Sequence, residues 1–317
     1  MSIYKKTVIV ALGGNALSPK NEAGTIQDQF RHTRESLEAV LHFVDRGYNI
    51  CITHGNGPQV GAELIRNEIS ADITPPLPLG VLVANTQGAV GYMIQQSLQN
   101  ALYKAGSDRE VVTFITQVNV DRDDPAIQDP SKFIGRSLTE KQATDFHDKY
   151  GWDVKEQERG VWRRVVPSPV SKYIYNGLSI KHLVDFGTIV VAAGGGGIPT
   201  YLKEDGSLEG LNGVVDKDLS ASLLGRVIKA DEMFIVTDVD QIYLDFKKPT
   251  QRPILKATSS EITSYLEAGH FYRGSMEPKI KSALYFLKYH GKKVVITSIS
   301  SLFDAIEGNA GSTITNN

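Results

Sequence analysis

Six short, β-branched apolar runs punctuate the chain: Thr7 to Leu12, Asn49 to Thr53, Val111 to Thr116, Thr188 to Ala192, Met233 to Thr237 and Lys293 to Thr297. Glycine or polar residues follow these runs, and then segments of helical period, which is the pattern of a parallel sheet with helical crossovers. Two segments show that period plainly. Leu37, Val40, Leu41 and Val44 fall at i, i+3, i+4 and i+7, as do Ile280, Ala283, Leu284 and Leu287, so each set predicts one buried helical face. The expected fold class is α/β.

A chain of 317 residues can bury a substantial core as one large α/β domain or two smaller ones. Lysine plus arginine number 34 against 36 acids, a net charge of -2, so bulk electrostatics give no reason to bind nucleic acid or an anionic membrane. Any anion site must be local. The single cysteine, Cys51, lies within an apolar run, which excludes an intrachain disulfide and predicts a core residue in a reducing compartment. No apolar run approaches the roughly 20 residues that span a bilayer, and the expected location is cytoplasmic.

Residues 121–172 break the pattern, being rich in charge, proline and aromatics, with a helix-like piece only near Leu138 to Tyr150. They are expected to form an inserted, protruding lid within a single domain covering 1–317. Four glycine clusters stand where strands are predicted to end or helices to begin: Gly13-Gly14-Asn15, Gly55-Asn56-Gly57, Gly194 to Gly197, and Gly274-Ser275. In open α/β sheets ligands bind beyond the carboxyl ends of the strands, where glycine lets backbone N–H groups approach phosphate. Several such loops together imply a large anionic ligand.

The stretch His54 to Gly61 opens a helix with Pro58 in its first turn, a ready anion site. A dinucleotide fold would need a further strand ending in an acid about 20 residues on; Ile73-Thr74-Pro75-Pro76 stands there instead. A P-loop is excluded because no G-x-x-x-x-G-K-[ST] run exists.

Two lysines sit awkwardly. Asp216 is a plausible N-cap and Asp218 suits a helix start, but Lys217 between them opposes the helix dipole by about 0.3–1 kcal/mol. Lys279 repeats the oddity after Ser275, a candidate cap, and Pro278. One such lysine reads as a solvated surface residue. Two at glycine-bearing helix starts argue for a shared anionic partner, as phosphoryl transfer requires, with Asp218 placed to orient both ammonium groups. Lys132 reads from its spacing as an exposed lysine of the lid, and Asp238 and Asp240 either face a nucleotide or a metal ion through water or simply form a turn.

The motifs Gly13-Gly14-Asn15-Ala16-Leu17, His54 to Gly61, Thr86 to Tyr92, Arg164 to Pro169, Gly194 to Pro199, Val215 to Asp218, Thr237 to Asp240 and Gly274 to Lys279 occur in this order along the whole chain. They resemble the carbamate kinase branch of the amino-acid kinase family. The resemblance implies a three-layer αβα sandwich around a mainly parallel open sheet, a homodimer, and Mg²⁺ with ATP or ADP. It also implies reversible phosphoryl transfer between ATP and carbamate, used for ATP synthesis from carbamoyl phosphate in arginine breakdown.

By the same resemblance, Lys217, Lys279, Asp218 and Lys132 would be catalytic, and Gly13, Gly14, Asn15, Gly55, Asn56 and Gly57 would cradle carbamate and phosphate. Asp216, Asp238, Tyr243 and Met276 would lie near the nucleotide. His54 carries no assigned role, because carbamate is already an anion and needs no general base. Phe133, Gln241 and Glu277 depart from the pattern, which has proline, glycine and a small or neutral residue there. Glu277 is expected to face solvent, since helix positions two apart do not share a face and it would not join Lys279. The alternatives are a kinase for an amino-acid carboxylate and a non-catalytic sensor on the same scaffold.

Overall fold

The structure is a computed structural model that describes residues 6–18, 24–272 and 275–317. Its centre is an eight-stranded sheet, in spatial order Lys256–Thr258, Ser312–Thr315, Lys293–Ser298, Glu232–Thr237, Lys6–Leu12, Tyr48–His54, Ile189–Val191 and Val111–Thr113. Every neighbouring pair is parallel except Lys293–Ser298 with Ser312–Thr315. All six expected strands are in this sheet. The run from Val111 is shorter than expected and stops at Thr113, after which the chain leaves to pair Gln117–Val120 in a separate four-stranded sheet.

Strand residues alternate between two cores, as the pleat requires. Val8, Val10 and Leu12 face one side, where they meet Leu37, Val40 and Phe43 of the helix Ile26–Asp45 and Val90, Ile94 and Leu98 of the helix Leu79–Lys104. Ile9 and Ala11 face the other, against Ala221 and Leu224 of the helix Lys217–Ile228 and Ile280, Ala283 and Leu287 of the helix Met276–Tyr289. Apolar surface buried on both faces is why these strands read as continuous hydrophobic runs. The layers are helix, sheet, helix, as expected.

From Lys6–Leu12 the chain winds outward through Tyr48–His54 to the edge at Val111–Thr113. It then returns to place Glu232–Thr237 on the other side of Lys6–Leu12. The winding direction therefore reverses beside Lys6–Leu12, and the crevice at the carboxyl end of such a reversal is where ligands bind in open α/β sheets.

The segment 121–172 has more regular structure than its composition predicts. Around the helix Glu140–Tyr150 lies a three-stranded antiparallel sheet of Lys132–Leu138, Val161–Val166 and Val154–Glu158. Its edge strand escapes detection because both of its faces are solvated: Lys155 to Glu158 are all exposed. The other two strands pack on the helix Gly57–Ser70, where Ile134 and Val166 join Val60 and Leu64 in a small buried cluster.

Candidate active site

Three loops and two helix starts meet at the carboxyl edge of the sheet. The first two loops touch backbone to backbone. Gly55 N–H donates to the Leu12 carbonyl at 2.9 Å, and a Cβ at Gly55 would lie 2.7 Å from the Gly14 nitrogen and 3.4 Å from Cδ of Lys217. Only glycine permits that approach. A Cβ at Gly13 would lie 2.9 Å from the Val236 carbonyl, so the first loop also presses against the end of Glu232–Thr237, at the winding reversal. Asn15 stands in the short helix Gly14–Leu17, and Gly57 opens the helix Gly57–Ser70 with Asn56 before it.

The third loop, Gly194 to Gly197, closes over the second. A Cβ at Gly194 would fall 2.4 Å from Nε2 of His54, and one at Gly195 would fall 2.3 Å from Nδ2 of Asn56. Gly195, Gly196 and Gly197 all have positive φ, a conformation that side chains resist. Gln87 clamps this loop from the helix Leu79–Lys104. Its amide nitrogen donates to the Gly194 carbonyl at 2.9 Å, and its oxygen accepts from Thr116 N–H at 2.8 Å. Asn56 donates to Thr86 Oγ1 at 2.9 Å, which turns its amide plane into the loop. In the sequence Thr86 and Gln87 stood out only as the start of the motif Thr86 to Tyr92, with no role read for either; both are buried.

The fourth element carries charge. Asp216 caps the helix Lys217–Ile228, its Oδ1 accepting from Asp218 N–H at 3.0 Å and Leu219 N–H at 3.1 Å. The cap fixes Lys217 and Asp218 in the first turn. Asp218 is buried, with Oδ1 accepting from Lys217 Nζ at 2.5 Å and Oδ2 from Lys279 Nζ at 2.8 Å. Burial alone would push the Asp218 carboxyl up, but the two ammonium charges and their hydrogen bonds together hold it well below the usual carboxylate range. Two lysines 62 residues apart in the chain thus converge on one ionised carboxylate (279 − 217 = 62).

The second helix is fixed to the first by hydroxyls. Ser282 Oγ donates to the Asp218 carbonyl at 2.5 Å, and Ser222 Oγ donates to the Ser282 carbonyl at 2.8 Å. Small hydroxyl residues inside an apolar face gave no sequence signal for this. Ser275, expected to cap the second helix, makes no side-chain cap bond. Gly274 lies outside the described residues. Glu277 pairs with Lys281 at 2.7 Å and not with Lys279, but it is half-buried rather than facing solvent as expected.

His54 is buried, and burial first, then the Lys217 charge, push its imidazole down to about 4 despite a hydrogen bond to the Gly55 carbonyl. It is neutral at pH 7, with Nδ1–H donating to that carbonyl. Asp238 is exposed just past Glu232–Thr237, while Asp240 accepts from Ser298 Oγ at 2.5 Å. Tyr243 accepts at its hydroxyl from the Gln241 amide at 3.1 Å, and Met276 packs half-buried at the start of its helix. Lys132 stands exposed on the first strand of the 121–172 segment, and no hydrogen bond joins it to Asp218. Phe133 beside it packs under the Arg163 guanidinium, 6.0 Å from the ring centre.

The arrangement suits an oligophosphate. Two ammonium groups and the helix starts that carry them meet glycine loops open enough for close approach, and such fixed donors stabilise charge on a moving phosphoryl group without covalent help. Among the described residues, no cluster of three or more His, Cys, Asp or Glu could hold a metal ion by itself.

Comparison with known proteins agrees along the full chain. Residues 6–298 match the model of the amino acid kinase family. The carbamate kinase of Pyrococcus horikoshii is 40% identical over 310 residues, covering 97% of this chain and 98% of that protein. Carbamate kinase 2 of Staphylococcus epidermidis is 41% identical over 314 residues, 98% of this chain and 99% of the other. The solved structure of carbamate kinase from Giardia lamblia bound to AMP-PNP superposes with a TM-score of 0.93 at 37% identity, over 100% of both chains. Since the family match starts at the first strand and runs through Lys293–Ser298, it takes in every loop that builds this crevice, and the chain belongs to the amino acid kinase family.

Proposed function

We propose that this chain is a carbamate kinase, transferring a phosphoryl group reversibly between ATP and carbamate, with ADP and carbamoyl phosphate on the other side. The observation that carries the reading is the meeting of Lys217 and Lys279 on Asp218 beside the Gly14 and Gly55 backbones. Both ammonium groups reach for oxygens of the transferring group, and Asp218 holds them in place between turnovers. The glycine loops cradle carbamate and the phosphate it receives. Carbamate enters as an anion, so no base is required, in keeping with a neutral, buried His54. Asp216 contributes by capping the helix that carries Lys217, while Asp238, Tyr243 and Met276 lie toward the nucleotide. Mg²⁺ arrives with the nucleotide, where it neutralises phosphate charge. Carbamoyl phosphate is a reactive mixed anhydride, so ATP formation is the favourable direction.

Lys132 belongs to the same reading through the 121–172 segment, taken as a lid on a single domain. Gly135 faces Leu64 and Arg136 meets Glu68, so the strand ascends alongside the helix Gly57–Ser70. Lys132 precedes both residues on that strand, toward the helix's first turn, which supports a place for it near the mouth of the crevice.

A cytoplasmic homodimer is the proposed assembly. No helix among the described residues is long and apolar enough to cross a membrane. Val81, Tyr92 and Tyr103 are exposed at 11-residue spacing, one stripe along the helix Leu79–Lys104 that a second copy would cover.

The test is direct. Protein mixed with Mg²⁺, ADP and carbamoyl phosphate is expected to form ATP, read by luminescence, and the Lys217→Ala variant is expected to form none above background. Equal signals would reject the kinase in favour of a sensor; ATP from an acyl phosphate but not from carbamoyl phosphate would reject carbamate as the acceptor.

A further inference from the structure

The 121–172 segment is joined to the rest of the protein by a buried carboxylate. Glu68 lies near the end of the helix Gly57–Ser70, and its side chain is only 8% exposed. Its Oε2 accepts from Arg136 Nε at 3.3 Å, and the charge of Arg164 on the adjacent strand acts on it as well. The Arg164 guanidinium in turn lies 4.5 Å from the centre of the Trp152 ring. Burial pushes the Glu68 carboxyl up, and the two guanidinium groups pull against that rise. Another ion pair between the same two parts, Lys149 with Asp72 at 3.0 Å, is exposed at both ends and contributes little. Apolar contact through Ile134, Val166, Val60 and Leu64 holds the faces together but tolerates sliding. A buried charge facing two guanidiniums on neighbouring strands does not, because displacement leaves it unpaired.

Resting on the reading of Lys132 given above, we infer that Glu68 is a positioning residue that fixes the lid's register on the Gly57–Ser70 helix and thereby sets the reach of Lys132. One rigid helix links both ends. Its first turn borders the crevice, its last turn holds Glu68, and the strand beside it carries both Lys132 and Arg136, four residues apart. Losing the charge at Glu68 frees that strand to shift, and small misplacements of a reacting group are costly in rate.

The experiment is a double-mutant cycle in carbamoyl phosphate and MgADP kinetics on the full chain. Glu68→Gln is expected to lower kcat/KM for carbamoyl phosphate by about 10- to 100-fold while KM for MgADP stays within about twofold. On a Lys132→Ala background the same substitution is expected to add less than about threefold, because its effect acts through the lysine. Full multiplication of the two effects would overturn the inference, since Glu68 would then act on something else. An impaired Lys132→Ala with an unimpaired Glu68→Gln overturns the positioning role alone. An unimpaired Lys132→Ala removes the reading beneath it and the inference with it. Should Glu68→Gln fail to fold, Arg136→Gln, at a side chain 35% exposed, must give the same kinetic pattern and the same lack of additivity, and its failure to do so overturns the inference.

Discussion

Replacing Asp218 with asparagine keeps the shape of the side chain and removes the charge on which two lysines close. Its carboxylate is 5% exposed, with ammonium groups at 2.5 and 2.8 Å. Deleting one partner of a buried ion pair costs about 3–5 kcal/mol, because the remaining charge stays buried and unpaired. Here two cations remain, facing each other across a neutral amide. The variant is therefore expected to lose about 3 kcal/mol of stability at pH 7, at the low end because both lysines are partly exposed, 19% and 14%.

The pH dependence separates this cause from a general packing defect. The folded pKa of Asp218 lies below its ordinary 3.8, so its stabilising contribution is complete above about pH 4 and disappears as pH falls through the depressed value. The gap between wild type and variant should be flat from pH 8 to about pH 4 and narrow only in stronger acid. Urea unfolding followed by far-ultraviolet circular dichroism is the suitable readout, because both tryptophans, Trp152 and Trp162, lie within 121–172 and report chiefly on that segment. MgADP should recover more stability in the variant than in the wild type, since its phosphates supply the missing negative charge. Turnover should fall about 100-fold as the lysines lose their orientation. A variant within about 0.5 kcal/mol of wild type and within threefold in turnover would show that Asp218 does not organise the pair.

Four further outcomes are expected. Lys279→Ala should lose about 2.7–4 kcal/mol of transition-state stabilisation, the scale for one donor, and a loss under twofold would remove Lys279 from the chemistry. His54, neutral in the fold and protonated when unfolded below pH 6.5, should make stability fall between pH 6.5 and about 4, by up to about 3 kcal/mol; His54→Asn should flatten that limb and keep activity at pH 7.5 within a few-fold. Gly195→Ala combines a φ of +65° with a Cβ 2.3 Å from Asn56, so it should cost about 1–3 kcal/mol and raise KM for carbamoyl phosphate, both measurable in the same assays. Cys51, whose thiol burial pushes up to about 12, should stay unlabelled by a thiol reagent at pH 8 until the protein is unfolded in urea; rapid labelling of the native protein would contradict its burial.

Six of the eight strands of the main sheet were legible because they are buried on both faces, so sequence alone marks them as unbroken apolar runs. The strands that escaped notice are of another kind. Val154–Glu158 reads VKEQE, too charged to be recognised as a strand, and Ser312–Thr315 reads STIT, β-branched but only four residues long. Each exists because a partner supplies the apolar contact and the hydrogen bonds: Val161–Val166 for the first, Lys293–Ser298 for the second. Such pairing is a property of the folded chain, and local composition carries little trace of it.

The site follows the same division. Asp216 could be read as a cap because capping acts within four residues, and the structure bears it out, whereas Ser275 had the right neighbours and the wrong backbone, with φ −130° and ψ −67°. Lys217 and Lys279 were conspicuous for the opposite reason, as cations in helix first turns where the dipole disfavours them. A residue that violates its local preference must be compensated elsewhere, and such violations concentrate at functional sites. Here part of the compensation is visible: one carboxylate accepts both ammonium groups, and the carbonyl of the same residue accepts the Ser282 hydroxyl from the second helix. Asp218 therefore ties the two helices together through side chain and backbone at once. That tie spans 61 residues of chain, and no window of local sequence contains both of its ends.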